Sequence, residues 1–244
     1  MKKILFWALL CLPLLTLQAQ KKEVVVTLNE KQAALNAKTV SSISALFHPK
    51  ATLQKFPKEK LAEGVSEVQA YYTQWFSNKE TVTAKLLDRI AFKGMIIDKE
   101  QIETSNGTME RIVFYKFKKN KIKTMTILEA QPEAKESNAR FVVEKQLAAY
   151  NRRNIEDFVK TYSEDVKIYN FPGRLKTEGH SGLRRDYTDW FASARDLNCQ
   201  IKKRMVMGGI VIDHEAIIAN GNSFQAVAIY HVENGRIKSV NFIQ

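Results

Sequence analysis

The chain is poor in the features that hold small exported proteins together or mark common catalytic machinery. Its 244 residues include two cysteines, Cys11 and Cys199. If the N-terminal segment is removed only Cys199 remains, so no intramolecular disulfide can form and the core must suffice unaided. Cys199 alternates with Leu197 and Ile201, which reads as a small buried hydrophobe, not a reactive thiol. There is no glycine-rich phosphate loop and no serine or cysteine nucleophile elbow. His180, His214 and His231 lack close ligand spacing, so neither a metal nor another cofactor is expected. Acidic residues are also short: 38 Lys+Arg face 26 Asp+Glu, a formal charge of +12, or 12 − 2 = +10 without Lys2 and Lys3. The basic residues are scattered and form no nucleic-acid motif, so nucleic acid is not an expected partner. The densest run, Lys116 to Lys121, reads as a solvated strand end and turn.

One long apolar run exists, Ile4 to Leu15, preceded by Lys2-Lys3 and followed by Thr16-Leu17-Gln18-Ala19-Gln20. That is the plan of a secretory signal peptide over residues 1–19, and it predicts export to the periplasm or the exterior. Leu10 stands before Cys11 where a lipoprotein signal carries a small residue, which argues against lipidation. The run is shorter than the roughly 20 apolar residues of a membrane span, and no later stretch approaches it.

The dominant feature is a repeat. Tyr187-Thr188-Asp189-Trp190-Phe191 echoes Tyr72-Thr73-Gln74-Trp75-Phe76, and 187 − 72 = 115. The same offset pairs Phe56-Pro57 with Phe171-Pro172, Glu63-Gly64 with Glu178-Gly179, Ile97-Asp98 with Ile212-Asp213, and Ile122-Lys123 with Ile237-Lys238. A period this long implies two complete domains rather than a solenoid of short units. The expected copies span 24–129 and 139–244, with a short arm at Lys21–Glu23 and a linker over 130–138 that lacks apolar periodicity.

Within the second copy, Val143, Leu147 and Tyr150 form one helical stripe, and Asn154 caps a second helix through Asp157. A strand at Val166–Phe171 follows, then a Pro172-Gly173 break. The repeated helix, with Ser181 as its expected N-cap, carries Leu183, Tyr187, Trp190 and Phe191 on one aromatic face, read as core along with Trp75 in copy one. Four strands then run Leu197–Met207, Ile210–Ala219, Phe224–Val232 and Ile237–Ile243, two of their turns being Asn-Gly. This order predicts an α+β domain in which a curved, mostly antiparallel sheet wraps a layer of helices.

The run Leu147-Ala148-Ala149-Tyr150-Asn151, then Asp157-Phe158, then Tyr162 to Val166, Gly179 and the Asn234-Gly235-Arg236-Ile237 turn resembles SnoaL-like domains of the nuclear-transport-factor-2-like superfamily, which includes ketosteroid isomerases, polyketide cyclases and scytalone dehydratases. The resemblance covers nearly all of 139–244, with copy one a divergent version. It implies a cone-shaped fold with one apolar pocket, association through the sheet (a pseudo-dimer of the two domains or a homodimer), and functions of many kinds. The isomerase pattern laid on copy two puts its tyrosine at Gln146, its base at Asn170 and its second acid near Ala228; in copy one the first two fall at Lys31 and Lys55. The isomerase groups are thus missing.

Strand parity sets Ile210, Ile212 and His214 on one face, read as inward, and Asp213 and Glu215 on the other, read as structural because they recur as Asp98 and Glu100. His214 is the candidate acid or base. Copy two also has Tyr150, Tyr169, Asn170 and His180 where copy one has Leu35, Gln54, Lys55 and Val65. The candidate site is therefore Gln146, Tyr150, Asn170, His180 and Trp190 for binding, with His214 for catalysis. Three functions stay open: a binding module for a small, partly apolar or carbonyl-containing molecule, an isomerase, dehydratase or cyclase, and a structural or interaction module with a filled pocket.

Overall fold

A computed structural model of the protein describes residues 12–129 and 135–244. Residues 1–11 of the expected signal segment and 130–134 of the expected linker lie outside the described residues. The chain divides into two compact units, the first drawn from residues up to Ile127 and the second containing Leu128–Gln244.

The first unit opens with helices α1 (Leu12–Asn36) and α2 (Val40–Ala45), then strands β1 (Phe47–Lys55) and β2 (Glu59–Glu63). Helix α3 (Val65–Ser77) precedes a meander of β3 (Val82–Phe92), β4 (Met95–Thr104), β5 (Gly107–Lys118) and β6 (Lys121–Glu129). The second unit repeats this as α4 (Glu136–Asn151), α5 (Ile155–Lys160), β7 (Tyr162–Asn170), β8 (Arg174–Glu178), α6 (Gly179–Ser193), β9 (Asn198–Met207), β10 (Ile210–Ala219), β11 (Asn222–Glu233) and β12 (Arg236–Ile243). The two six-stranded sheets have matching orders, β2-β1-β6-β5-β4-β3 and β8-β7-β12-β11-β10-β9. Each is antiparallel except where its first long strand lies parallel to its last, β1 to β6 and β7 to β12. The tandem α+β expectation holds.

Local chemistry accounts for the elements. Asn154 accepts the Asp157 backbone N–H at 3.0 Å and so opens α5. Asn220 and Asn234 adopt positive φ (51° and 48°), as the hairpin turns beside Gly221 and Gly235 require. The first strand of copy two begins at Tyr162, four residues before the expected start, because its register with β12 starts at Tyr162↔Ile237. The expected loop before the repeated helix contains β8, which pairs antiparallel with β7. Helix α6 opens at Gly179 with Glu178 as its capping position, not Ser181. Lys21–Glu23 is no separate arm but part of α1, and α4 starts at Glu136, before the expected boundary at 139.

In copy one Val24, Leu28, Lys31 and Leu35 form one buried stripe of α1 at i, i+4, i+7 and i+11. The counterpart stripe of α4 is Ala139, Val143, Gln146 and Tyr150. Each stripe packs toward its own sheet, and each has a polar residue at the third position.

Candidate functional site

The second unit holds a cavity of about 310 Å³ between α4, α6 and the sheet. Its walls are largely aromatic and aliphatic: Tyr150 and Leu147 from α4, Tyr187 and Trp190 from α6, Ile217 from β10 and Phe242 from β12. The Trp190 indole N–H donates to the Tyr150 hydroxyl at 3.1 Å, which ties the two helices across the opening. Burial pushes the Tyr150 phenol up to about 12, so it stays protonated and able to donate. Asn151, next on α4, brackets the Cys199 backbone of edge strand β9, donating to its carbonyl at 2.9 Å and accepting its N–H at 2.7 Å. Cys199 is buried, and burial raises its thiol far above the ordinary range, in keeping with an inert side chain.

The polar centre of the cavity is Glu215. It is 6% exposed and lies against Tyr230, whose hydroxyl donates to Oε1 at 2.9 Å. Burial, with the nearby Asp213 charge adding to it, pushes the Glu215 carboxyl up to about 8, so it is largely protonated at neutral pH. Among the described residues no cation is ion-paired with it. Arg204, which faces the same side of the sheet, is engaged by Asp213 through two bonds of 2.6 Å and by Glu144 at 3.2 Å.

These positions correct the inferred strand parity. The face of β10 turned to the helices carries Val211, Asp213, Glu215 and Ile217, while His214 lies on the opposite face with Ile210 and Ile212. His214 bonds Gln225 on neighbouring β11, Nε2 to Oε1 at 2.8 Å, and does not line the cavity. Ile210 and Ile212 are buried too, so alternation of apolar and charged residues cannot show which face meets the helices. Asp213 and Glu215 are tolerated inward because Arg204 and Tyr230 satisfy them.

Of the other candidates, Gln146, Tyr150 and Trp190 line the cavity together. Asn170 sits at the end of β7, in register with Arg174 and Phe242, and is not among the lining residues. Nor is His180, whose Nε2 meets the Tyr162 carbonyl at 3.0 Å and ties the start of α6 to β7. Trp190 and Trp75 are half-buried, not core. An indole that forms a cavity wall keeps one face open, which the helical spacing alone could not distinguish from full burial.

Copy one fills the equivalent place. Its counterparts of Gln146, Glu215 and Tyr230 are Lys31, Glu100 and Tyr115 at the offset of 115. Lys31 is 1% exposed, with Nζ 3.4 Å from Glu100 Oε1 and 5.3 Å from the Tyr115 ring centre. The Tyr115 hydroxyl donates to the same Oε1 at 2.7 Å. The surrounding side chains follow suit: Leu35 and Tyr72 are buried, whereas Tyr150 and Tyr187 are only half-buried. Sequence reasoning passed over Glu215 and Tyr230 because both copies keep them. The signal that could have found them was the change from Lys31 to Gln146 beside an unchanged acid.

Among the described residues no group of three or more His, Cys, Asp or Glu side chains could hold a metal, and no helix is long and apolar enough to cross a membrane.

Residues 143–240 match the SnoaL-like domain family. No curated protein matches the chain. Among solved structures, an uncharacterised cystatin-fold protein from Novosphingobium aromaticivorans is similar at 24% identity and a TM-score of 0.41, over 44% of this chain and 97% of that one. A putative ketosteroid isomerase from Kribbella flavida is similar at 17% identity and a TM-score of 0.40, over 45% of this chain and 78% of that one. An NTF2-like protein of unknown function from Cytophaga hutchinsonii is similar at 25% identity and a TM-score of 0.36, over 43% and 88%. Residues 143–240 of the second unit thus match a SnoaL-like domain, and the first unit repeats the sheet order of the second, so the chain is a tandem of two α+β units.

Proposed function

We propose that this is an exported binding protein whose second domain holds a small, partly apolar molecule in the cavity of Gln146, Tyr150, Trp190, Glu215 and Tyr230. The observation that carries the proposal is the contrast between the copies: Lys31 is buried against Glu100 in copy one, while at the equivalent place in copy two Gln146 lines a cavity of about 310 Å³. Apolar walls around a few polar groups are the usual form of a small-molecule site. The neutral aromatic alcohol 2-naphthylmethanol is a suitable probe, measured by calorimetry on the full chain. Binding at one site per chain is expected, with loss in Ala226→Phe, which fills the cavity from β11. Binding that survives Ala226→Phe would place the probe elsewhere, and absence of binding would favour a structural or interaction role. Export is tested separately by N-terminal sequencing of protein from the native cell envelope or medium. A start near residue 20 supports it, and a chain retained in the cytoplasm with Met1 opposes it.

A second reading is favoured by the Glu215 carboxyl lying near neutrality inside the cavity: an acid–base enzyme of the isomerase, dehydratase or cyclase type. In that reading Glu215 replaces His214 as the proton carrier, and Tyr230 orients it. Turnover of a carbonyl substrate that Glu215→Gln abolishes and His214→Ala leaves intact would establish it. Binding without turnover returns the domain to the first reading.

A further inference from the structure

The two copies together also indicate what chemistry the cavity accepts. We propose that the second-domain cavity takes a primary alkyl- or arylalkylammonium ion, whose charged nitrogen seats against Glu215 and Tyr230 where copy one seats the ammonium of its own Lys31. This inference rests on the binding reading above and narrows it to a ligand class.

Copy one is in effect an occupied version of the site. The Lys31 ammonium enters along an apolar stripe, meets the Glu100 carboxylate and lies over the Tyr115 ring. Copy two keeps the acid and the tyrosine in the same arrangement, the hydroxyl-to-carboxyl bond being 2.9 Å against 2.7 Å. It lacks the tethered ammonium at the first-helix position, and on β11 Ala226 stands where copy one buries Arg111. Gln146, a neutral amide on the cavity lining, supplies no ammonium in place of Lys31. A buried acid on a cavity wall, with no cation ion-paired to it among the described residues, can exchange its proton for an arriving ammonium ion. Tyr150, Tyr187 and Trp190 then offer aromatic faces to the hydrocarbon part of the ligand and to its charge.

The pH dependence follows from every group around Glu215. Asp213 on the same strand and Arg204 on β9 form a closed pair. Tyr230, Tyr162, Tyr150, Tyr187 and Cys199 face it as neutral groups whose burial opposes ionisation. Lys176 and Asp186 stand at the cavity lining with opposite charges. Below about pH 8 Glu215 holds a proton, so an arriving ammonium ion displaces that proton to solvent. Affinity for an amine should therefore climb by up to about tenfold per pH unit between pH 6 and 8. Affinity for a neutral isostere should not climb.

The test pairs 2-naphthylmethylamine with 2-naphthylmethanol on the full chain by calorimetry. The amine is expected to bind about tenfold tighter or more at pH 8, as suits a charge-assisted contact. Glu215→Gln should erase that margin, so that amine and alcohol bind the variant with affinities within about twofold of each other. Gln146→Lys, which supplies an internal ammonium, should abolish amine binding in a chain that melts no lower than the parent. Alcohol binding with no advantage for the amine would overturn the ammonium assignment and leave the cavity reading standing. Failure of both probes would overturn the two together. Retention of amine affinity in a folded Gln146→Lys chain would also overturn the assignment, since the seat would then be elsewhere.

Discussion

The two domains share a sheet order, helix order and aromatic helix face, yet differ at the centre. In copy one a lysine from the first helix closes the site on Glu100; in copy two the same helix position is glutamine and the site is open. The salt-bridged centre of copy one and the open cavity of copy two differ at Lys31/Gln146 and also at Arg111/Ala226. The comparison teaches that one shared acid and tyrosine can stand in two settings, beside a buried lysine in copy one and on a cavity wall in copy two.

The largest expected effect comes from breaking the closed site. Lys31→Ala removes the ammonium beside buried Glu100 and should destabilise copy one by about 3–5 kcal/mol, whereas Gln146→Ala should cost copy two about 1 kcal/mol. Denaturant unfolding of the two variants compares them directly, and equal losses would erase the distinction drawn between the sites. Next is the helix that walls the cavity. Leu183, fully buried on α6, should cost about 2–5 kcal/mol as Leu183→Ala, while the half-buried Trp190 should cost roughly 1–2 kcal/mol as Trp190→Ala and reduce ligand binding more than stability. A Trp190→Ala chain as unstable as Leu183→Ala would return that indole to the core.

A smaller effect is set by pH. The folded chain keeps a proton on Glu215 that the unfolded chain releases above the ordinary carboxylate range near 4.5. Stability from this group is therefore fully present below about pH 4.5, declines as pH rises, and reaches its floor above about pH 8. Melting temperatures of wild type minus Glu215→Gln should fall across that window; a flat difference would mean that Glu215 ionises freely. The smallest effect is assigned to His214→Ala, within about 0.5 kcal/mol and without change in cavity binding, because its ring lies on the far face against Gln225.

Much of the architecture was legible because it rests on repeated local signals. The Asn-Gly turns and the Asn154 cap each act over a few residues, and the structure places them as their chemistry requires; the 115-residue offset shows that the plan occurs twice. Tyr150 and Trp190 were legible from the apolar faces of their two helices, and Gln146 from the family resemblance. His214 was misplaced because β10 buries apolar residues on both faces, so hydrophobic alternation carries no sign. Glu215 was missed for a related reason: a carboxylate on a strand reads as solvent-facing unless the tyrosine that satisfies it, 15 residues later on the next strand, is known to stand beside it. Long-range pairing across β10 and β11 supplies that knowledge.

The most direct test of the account is the titration of the Glu215 carboxyl by carbon-13 NMR, assigned by its loss in Glu215→Gln, in the parent and in Gln146→Lys. The parent should titrate near 8, and the variant, with an ammonium placed as in copy one, should titrate far below that. A parent Glu215 that titrates near 4.5, unchanged by Gln146→Lys, would contradict the claim that position 146 decides whether this site is closed or open.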